Sequence, residues 1–356
     1  MTSSPARAIR RPDDGWPRFA GVASGAGAFA LLLTGAAVVA VIVGTAVTSP
    51  APVPGLIEPS PVVVWGIPVA RLLLDVGAVT AAGLALLPKL VGFDQPRRTE
   101  PVLASSRRAA VVASGVWAFG ALASIVLLTA ELNPGAAVTP AAVWSYIGAV
   151  AAGKGLLVSA ICALVSLWLA RLAMRHGENV PAELRVGVAL FGLLPLPLTG
   201  HASNWYYHDL SMISMELHVV AASAWAGGLA AVIVFLSRHR DLLVVALPKF
   251  SRLATWCVFV VGISGLFNGL LELYLSPITT MPSSLVTTPY GVMLLVKMAC
   301  LAGVAVIALV VRTRLLPKVV AGRRTALAVW CGWELTILAV AFGAAVVLTR
   351  ATVTPF

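Results

Sequence analysis

Residues 200–236 read GHASNWYYHDLSMISMELHVVAASAWAGGLAAVIVFL, and the fold follows from how this stretch is read. Its first dozen residues are polar and aromatic and include His201 and His208. From Met212 to Leu236 the chain turns apolar. That length exceeds the roughly 20 residues needed to cross about 30 Å of hydrocarbon. Lipid offers no partners to backbone N–H and C=O groups, so such a run has to be helical. The stretch is therefore a surface segment leading into a transmembrane helix.

The same pattern repeats along the chain. Of 356 residues, 59% are hydrophobic and only 11% charged, where a soluble domain carries about 25% charged residues. The fold class is all-α: a polytopic transmembrane helix bundle of about nine spans. We place them at 19–47, 62–87, 109–131, 142–170, 186–200, 212–236, 249–273, 289–311 and 325–349. Residues 1–18 are read as a disordered cytoplasmic tail and 350–356 as a short outer tail, leaving 19–349 as one transmembrane domain. The first span is too long for a secretory h-region and lacks a clean cleavage site, so it is read as retained. The fifth is short and contains Pro195 and Pro197, which predicts a kinked or broken helix. The eighth opens with Thr288-Pro289, a capping residue followed by proline at the first helical position.

The formal net charge of +11 would suit nucleic acid, but its distribution points elsewhere. Alternate loops and the N-terminal tail together hold 21 of the 25 Lys and Arg residues, and the loops between them hold none. This is the positive-inside signature of a multi-pass protein in the plasma (inner) membrane. It puts the N-terminus inside, the C-terminus outside and the 200–211 segment on the outer face. The partner of the charge is thus the lipid bilayer and not nucleic acid. Trp65, Trp144, Trp205, Tyr206, Tyr207 and Tyr290 fall near outer span ends, as an interfacial aromatic belt should.

Charges within spans are costly, at least about 2.5–3.5 kcal/mol each at the bilayer centre. Arg71, Asp75, Lys154, Lys297 and Glu334 all fall roughly 12–20 Å below the outer face at 1.5 Å per residue. Arg71 and Asp75 are four apart and can pair within their helix; Lys297 and Glu334 are the best interhelical pair. The five residues are either structural ion pairs or an intramembrane polar path. The four cysteines, Cys162, Cys257, Cys300 and Cys331, are scattered through apolar runs, against a disulfide framework or zinc knuckle.

His208, Met212, Met215 and His218 are spaced four, three and three apart, so a helix reaching back to His208 sets them along one stripe. Imidazole and thioether are copper ligands, the thioether favouring Cu(I). With His201 at the rim and Glu216 tuning charge, they form a candidate metal site at the outer mouth, roughly 6–9 Å deep at His218. Singly, each Met is explained as gap filler and each His as a satisfied polar residue. Trp225, seven after His218, is placed to wall the site from below, and Ser223, Ala224, Gly227 and Gly228 let a neighbouring helix approach. No nucleophile–base constellation or phosphate loop is visible, so no enzymatic activity is expected.

These pieces, taken in order, resemble the CopD-type copper resistance family. Gly200-His201-Ala202, Leu217-His218 and Trp225-Ala226-Gly227-Gly228-Leu229 carry the resemblance. Phe250-Ser251-Arg252-Leu253-Ala254, Gly265-Leu266-Phe267-Asn268, Thr288-Pro289-Tyr290-Gly291 and Leu294-Leu295-Val296-Lys297 continue it. Arg314-Leu315-Leu316-Pro317 closes it, and Arg71-Leu72-Leu73-Leu74-Asp75 resembles the second span of actinobacterial members. The likeness is closest over 185–317. It implies a membrane copper-handling protein, a permease for uptake or resistance, served by an extracytoplasmic copper chaperone or a respiratory oxidase. Some relatives are fused to a domain resembling a cytochrome c oxidase assembly factor. Two alternatives stay open: a protein binding haem b through His201 and His218 or assisting oxidase assembly, and a structural accessory subunit.

Overall fold

A computed structural model describes residues 22–48, 57–199, 208–323, 325–351 and 353–354. These residues form helices α1 (Val22–Thr48), α2 (Pro61–Val91), α3 (Pro96–Leu132), α4 (Pro140–Ala149), α5 (Ala151–His176) and α6 (Ala182–Phe191). They continue with α7 (His208–Leu236), α8 (Arg240–Leu275), α9 (Ser284–Thr287), α10 (Pro289–Val310), α11 (Leu316–Val320) and α12 (Leu327–Leu348). Seven of the helices are long and apolar enough to cross a membrane. α1, whose apolar Leu33–Val47 portion packs on α12, is an eighth long helix. No strand occurs among the described residues. The protein is an all-α, multi-pass membrane bundle.

The expected fifth span, 186–200, is broken, as its two prolines predict. α6 is ten residues long, about 15 Å at 1.5 Å per residue. Turns and a 3₁₀ piece, Leu196–Thr199, follow it. Pro195 and Pro197 cannot donate to a helical ladder, and the helix stops before them. The expected span 142–170 is also revised. The chain is extended at Val150 (φ −107°, ψ 128°), which separates α4 from the true crossing helix α5. Gly148 and Gly153 flank the break and weaken helix there. A Cβ at Gly153 would sit 2.9 Å from the Ile147 Cα, so α4 folds back tightly against the start of α5. Thr139 and Thr288 cap α4 and α10 through their side-chain oxygens, each with proline in the first turn.

Close helix contacts follow the small residues. A Cβ at Gly83 of α2 would collide with the Gly227 carbonyl of α7, and one at Gly227 with the Val79 carbonyl. Gly77 and Gly120 likewise bring α2 and α3 backbone to backbone. Lipid tails are as apolar as the side chains, so such backbone approach is what drives association of membrane helices.

Ion pairs gather the basic loops at one end of the bundle. Lys89 binds Glu183, Arg98 binds Asp241 at 3.1 Å, and buried Arg107 bridges Glu100 (2.7 Å) and Glu178 (2.8 Å). Glu178 also accepts from buried Arg185 at 2.6 Å. At the opposite end, Arg350 after α12 binds Glu131 of α3.

Candidate functional site

A cavity of about 200 Å3 lies among α2, the 193–197 segment, α7, α8, α10 and α12. α7 contributes Ser211, Met215, His218, Ala222 and Trp225. Their i, i+4, i+7 spacing is one face of a helix. The helix does reach back to His208, as the stripe requires, but the cavity-facing stripe is rotated from the expected one. Met212 and Glu216 lie about 100° round from Ser211 and Met215, and neither lines the cavity. His201 lies outside the described residues, as does the side chain of His208.

His218 is buried, at 7% exposure. Its Nδ1 is 3.0 Å from the Ser264 Oγ of α8, and that hydroxyl donates its one hydrogen to the Val260 carbonyl. Ser264 must therefore accept, so Nδ1 carries the proton and Nε2 keeps its lone pair. A second hydrogen bond fixing the tautomer and plane of a ligating imidazole is the usual device of metal-binding histidines. Gly265 makes room for the ring, since a Cβ there would lie 3.0 Å from Cε1. Above it Asn268 ties the two helices. Its amide donates to the Ser214 Oγ (2.8 Å) and the Ser264 carbonyl (2.8 Å), and its Oδ1 accepts from Ser211 (2.7 Å). α7 and α8 are thus locked in register around His218.

α10 supplies Lys297, Met298 and Cys300 to the same cavity, and α2 supplies Arg71 and Asp75. Arg71 donates from Nε to both Asp75 oxygens at 3.1 Å, the pair its four-residue spacing predicts. Glu272 and Tyr290 line the cavity nearer the helix ends. The expected Lys297–Glu334 pair is not formed. Glu334 instead accepts from the Trp225 indole at 3.2 Å, and Lys297 makes no ion pair among the described residues. Lys154 also leaves the expected layer. With α5 starting at Ala151 it is only four residues into its helix, and its side chain is exposed.

The expected depth of the site changes for the same reason. α7 begins at His208, so His218 is roughly 15 Å along it, level with Arg71 in α2 and Lys297 in α10 at 1.5 Å per residue. One imidazole, two thioethers and a thiol therefore face a space bounded by a neutralised ion pair. Among the described residues no three His, Cys, Asp or Glu side chains lie close enough to hold a metal ion; the cavity adds the thioethers of Met215 and Met298 to His218 and Cys300. Reading the sequence for ligands alone missed Ser264, Asn268 and Ser211. Their signal was present: Ser264 and Asn268 are hydrogen-bonding residues four apart in an otherwise apolar run.

Comparisons with known proteins bear on this arrangement. The family described as Copper resistance protein D matches residues 244–348, and the Copper resistance protein D-like N-terminal domain matches 61–209. Copper transport protein CutJ of Bacillus subtilis is 34% identical over 113 residues, 31% of this chain and 20% of that protein. Inner membrane protein YebZ of Escherichia coli is 33% identical over 206 residues, 55% of this chain and 66% of that protein. The matches thus span about a fifth and just under two thirds of those relatives. No solved structure gives a significant match. The two family matches stand in order on helices that close one cavity, α2 from the N-terminal-domain match and α8, α10 and α12 from the Copper resistance protein D match, and the chain belongs to the copper resistance protein D family.

Proposed function

We propose that this protein is a copper permease that takes copper from the extracytoplasmic face. The observation that carries the reading is the convergence of His218, Met215, Met298 and Cys300 on one cavity inside a membrane bundle. A soft sulfur-and-imidazole lining suits Cu(I). The formal charges on the cavity wall cancel, Arg71 and Lys297 against Asp75 and Glu272, so ligand softness and not net charge would select the ion. Membership of a copper resistance family and the name of the CutJ relative favour copper over other soft ions.

The positive-inside rule orients the path. The cavity begins near Ser211, Glu272 and Thr349, at the bundle end opposite the basic loops. In a plasma membrane that end faces outward, where His201 and His208 would collect the ion and a copper chaperone or respiratory oxidase would exchange it. Met212, Glu216 and Lys154 are not part of the proposed set. A small ion fits better than haem, because about 200 Å3 is below the roughly 300–1,000 Å3 of sites for larger organic ligands. Nothing in this reading requires an enzymatic step.

Reconstitution tests it. Proteoliposomes containing the wild-type chain should accumulate Cu(I) faster than empty liposomes, and His218→Ala should return uptake to the empty-liposome level. Equal uptake by wild type and His218→Ala would overturn the proposal.

A further inference from the structure

A second cavity, also about 200 Å3, lies toward the basic end of the bundle among α7, α8, α10 and α12. It shares those four helices with the first cavity, and the two nearly touch. On α7 the upper cavity ends at Trp225 and the lower begins at Leu229. On α8 the change falls between Val261 and Val258, and on α10 between Val304 and Ala305. On α12 it falls between Leu338 and Glu334. Each step is four residues or fewer, about 6 Å at most. The cavities are coaxial chambers parted by a layer one turn thick.

One polar contact crosses that layer. Trp225 lines the upper chamber, Glu334 lines the lower, and the indole N–H donates to the Glu334 Oε1 at 3.2 Å. Both side chains are almost fully buried, at 1% and 3% exposure, and the surrounding Val304 is wholly buried. An ionisable group in an apolar layer of a membrane helix is costly, and such groups mark ion routes. Below it the lower chamber runs to Ser251, Thr255 and Arg312, beside the basic loops. Its formal charges, Glu334 and Arg312, cancel as those of the upper chamber do.

We propose that the lower cavity is the inner half of one cation path and that the Trp225–Glu334 pair is its closed partition. A soft monovalent cation leaving the His218 chamber passes only when the indole swings off the carboxylate, and Glu334 then faces the ion in the layer it crosses. The identity of the ion rests on the permease reading; the partition is testable without copper.

The test uses thiol accessibility in the full chain, reconstituted in vesicles of known orientation. Native Cys300 reports on the upper chamber, and Ala308→Cys, two turns along the same helix, reports on the lower. A small cationic methanethiosulfonate is added to one side at a time, and labelled sites are located by mass spectrometry. The partition predicts that reagent on the Ser211 side labels Cys300 and spares Ala308→Cys, with the reverse from the basic side. Trp225→Ala, or Trp225→Phe if the smaller side chain fails to fold, should speed labelling of Ala308→Cys from the Ser211 side about tenfold, the factor given by losing one hydrogen bond. Labelling of Ala308→Cys in the Trp225 background at equal rates from both sides, or from neither, overturns the proposal. So does an unchanged rate in both Trp225 variants. A wild-type protein that moves no Cu(I) yet shows the predicted labelling would refute the permease reading and leave the partition standing.

Discussion

Ser264→Ala isolates how the fold prepares His218. The substitution removes the acceptor that holds Nδ1–H at 3.0 Å without touching any proposed copper ligand. In the metal-free protein the ring then regains rotamers and the other tautomer. In the metal-bound protein Nε2 is fixed, so buried Nδ1–H loses its hydroxyl partner and is left with the Val261 backbone carbonyl alone. The loss therefore falls on the bound state and is read as affinity. A buried donor that loses its better partner costs up to about 1–3 kcal/mol, and removal of such a partner weakens metal binding by about 10–100-fold. The two figures agree, since about 1.4 kcal/mol is a factor of ten. The assay is anaerobic competition of detergent-solubilised protein against a chromophoric Cu(I) chelator. Ser264→Thr, which keeps the hydroxyl, should retain near wild-type affinity. Wild-type affinity in Ser264→Ala, alongside abolished binding in His218→Ala, would refute the orienting role of this hydrogen bond.

Other outcomes follow from the same structure. Gly227→Val should lower the melting temperature in detergent, because its Cβ meets the Val79 carbonyl and overpacking costs about 1–3 kcal/mol or more; an unchanged melting temperature would contradict the α2–α7 contact. Glu178→Ala strands Arg185, only 8% exposed, while Arg107 keeps its pair with Glu100. It should cost about 3–5 kcal/mol, whereas Arg98→Ala breaks a solvent-facing pair and should cost at most about 1 kcal/mol. Unfolding by denaturant separates the two, and equal costs would refute the distinction. Met215→Leu keeps the volume and removes a thioether, so Ag(I), a soft stand-in for Cu(I), should bind more weakly while Zn(II) changes little. Equal loss of both ions in isothermal titration would count against a thioether ligand.

Much of the architecture is legible in the residues because lipid leaves few options. Apolar runs have to be helices, Pro195 and Pro197 announce the break after α6, and Thr288-Pro289 announces the start of α10. The small residues at 223–228 mark a close contact, and Trp225 does floor the cavity. What the residues alone do not show is phase and origin. The expected His208–Met212–Met215–His218 stripe has the right period, but Ser211 is on the buried face and Met212 is not. That phase is set by Asn268 and Ser264 across the helix pair, a tertiary fact. Depth estimates inherit the assumed helix start. Moving α5's start to Ala151 takes Lys154 out of the polar layer, and moving α7's start to His208 takes His218 down into it. The Lys297–Glu334 pairing failed for a related reason: Lys297 lines the upper cavity and Glu334 the lower one, so their depths differ, and the Trp225 indole reaches Glu334 instead.

The measurement closest to the central claim is copper K-edge absorption on purified protein loaded anaerobically with Cu(I), compared between wild type and His218→Ala. A cavity that holds copper through His218 and sulfur predicts bound copper with both nitrogen and sulfur neighbours in the wild type, and its loss from His218→Ala. Equal copper in the two proteins, or wild-type copper with no nitrogen neighbour, would contradict it.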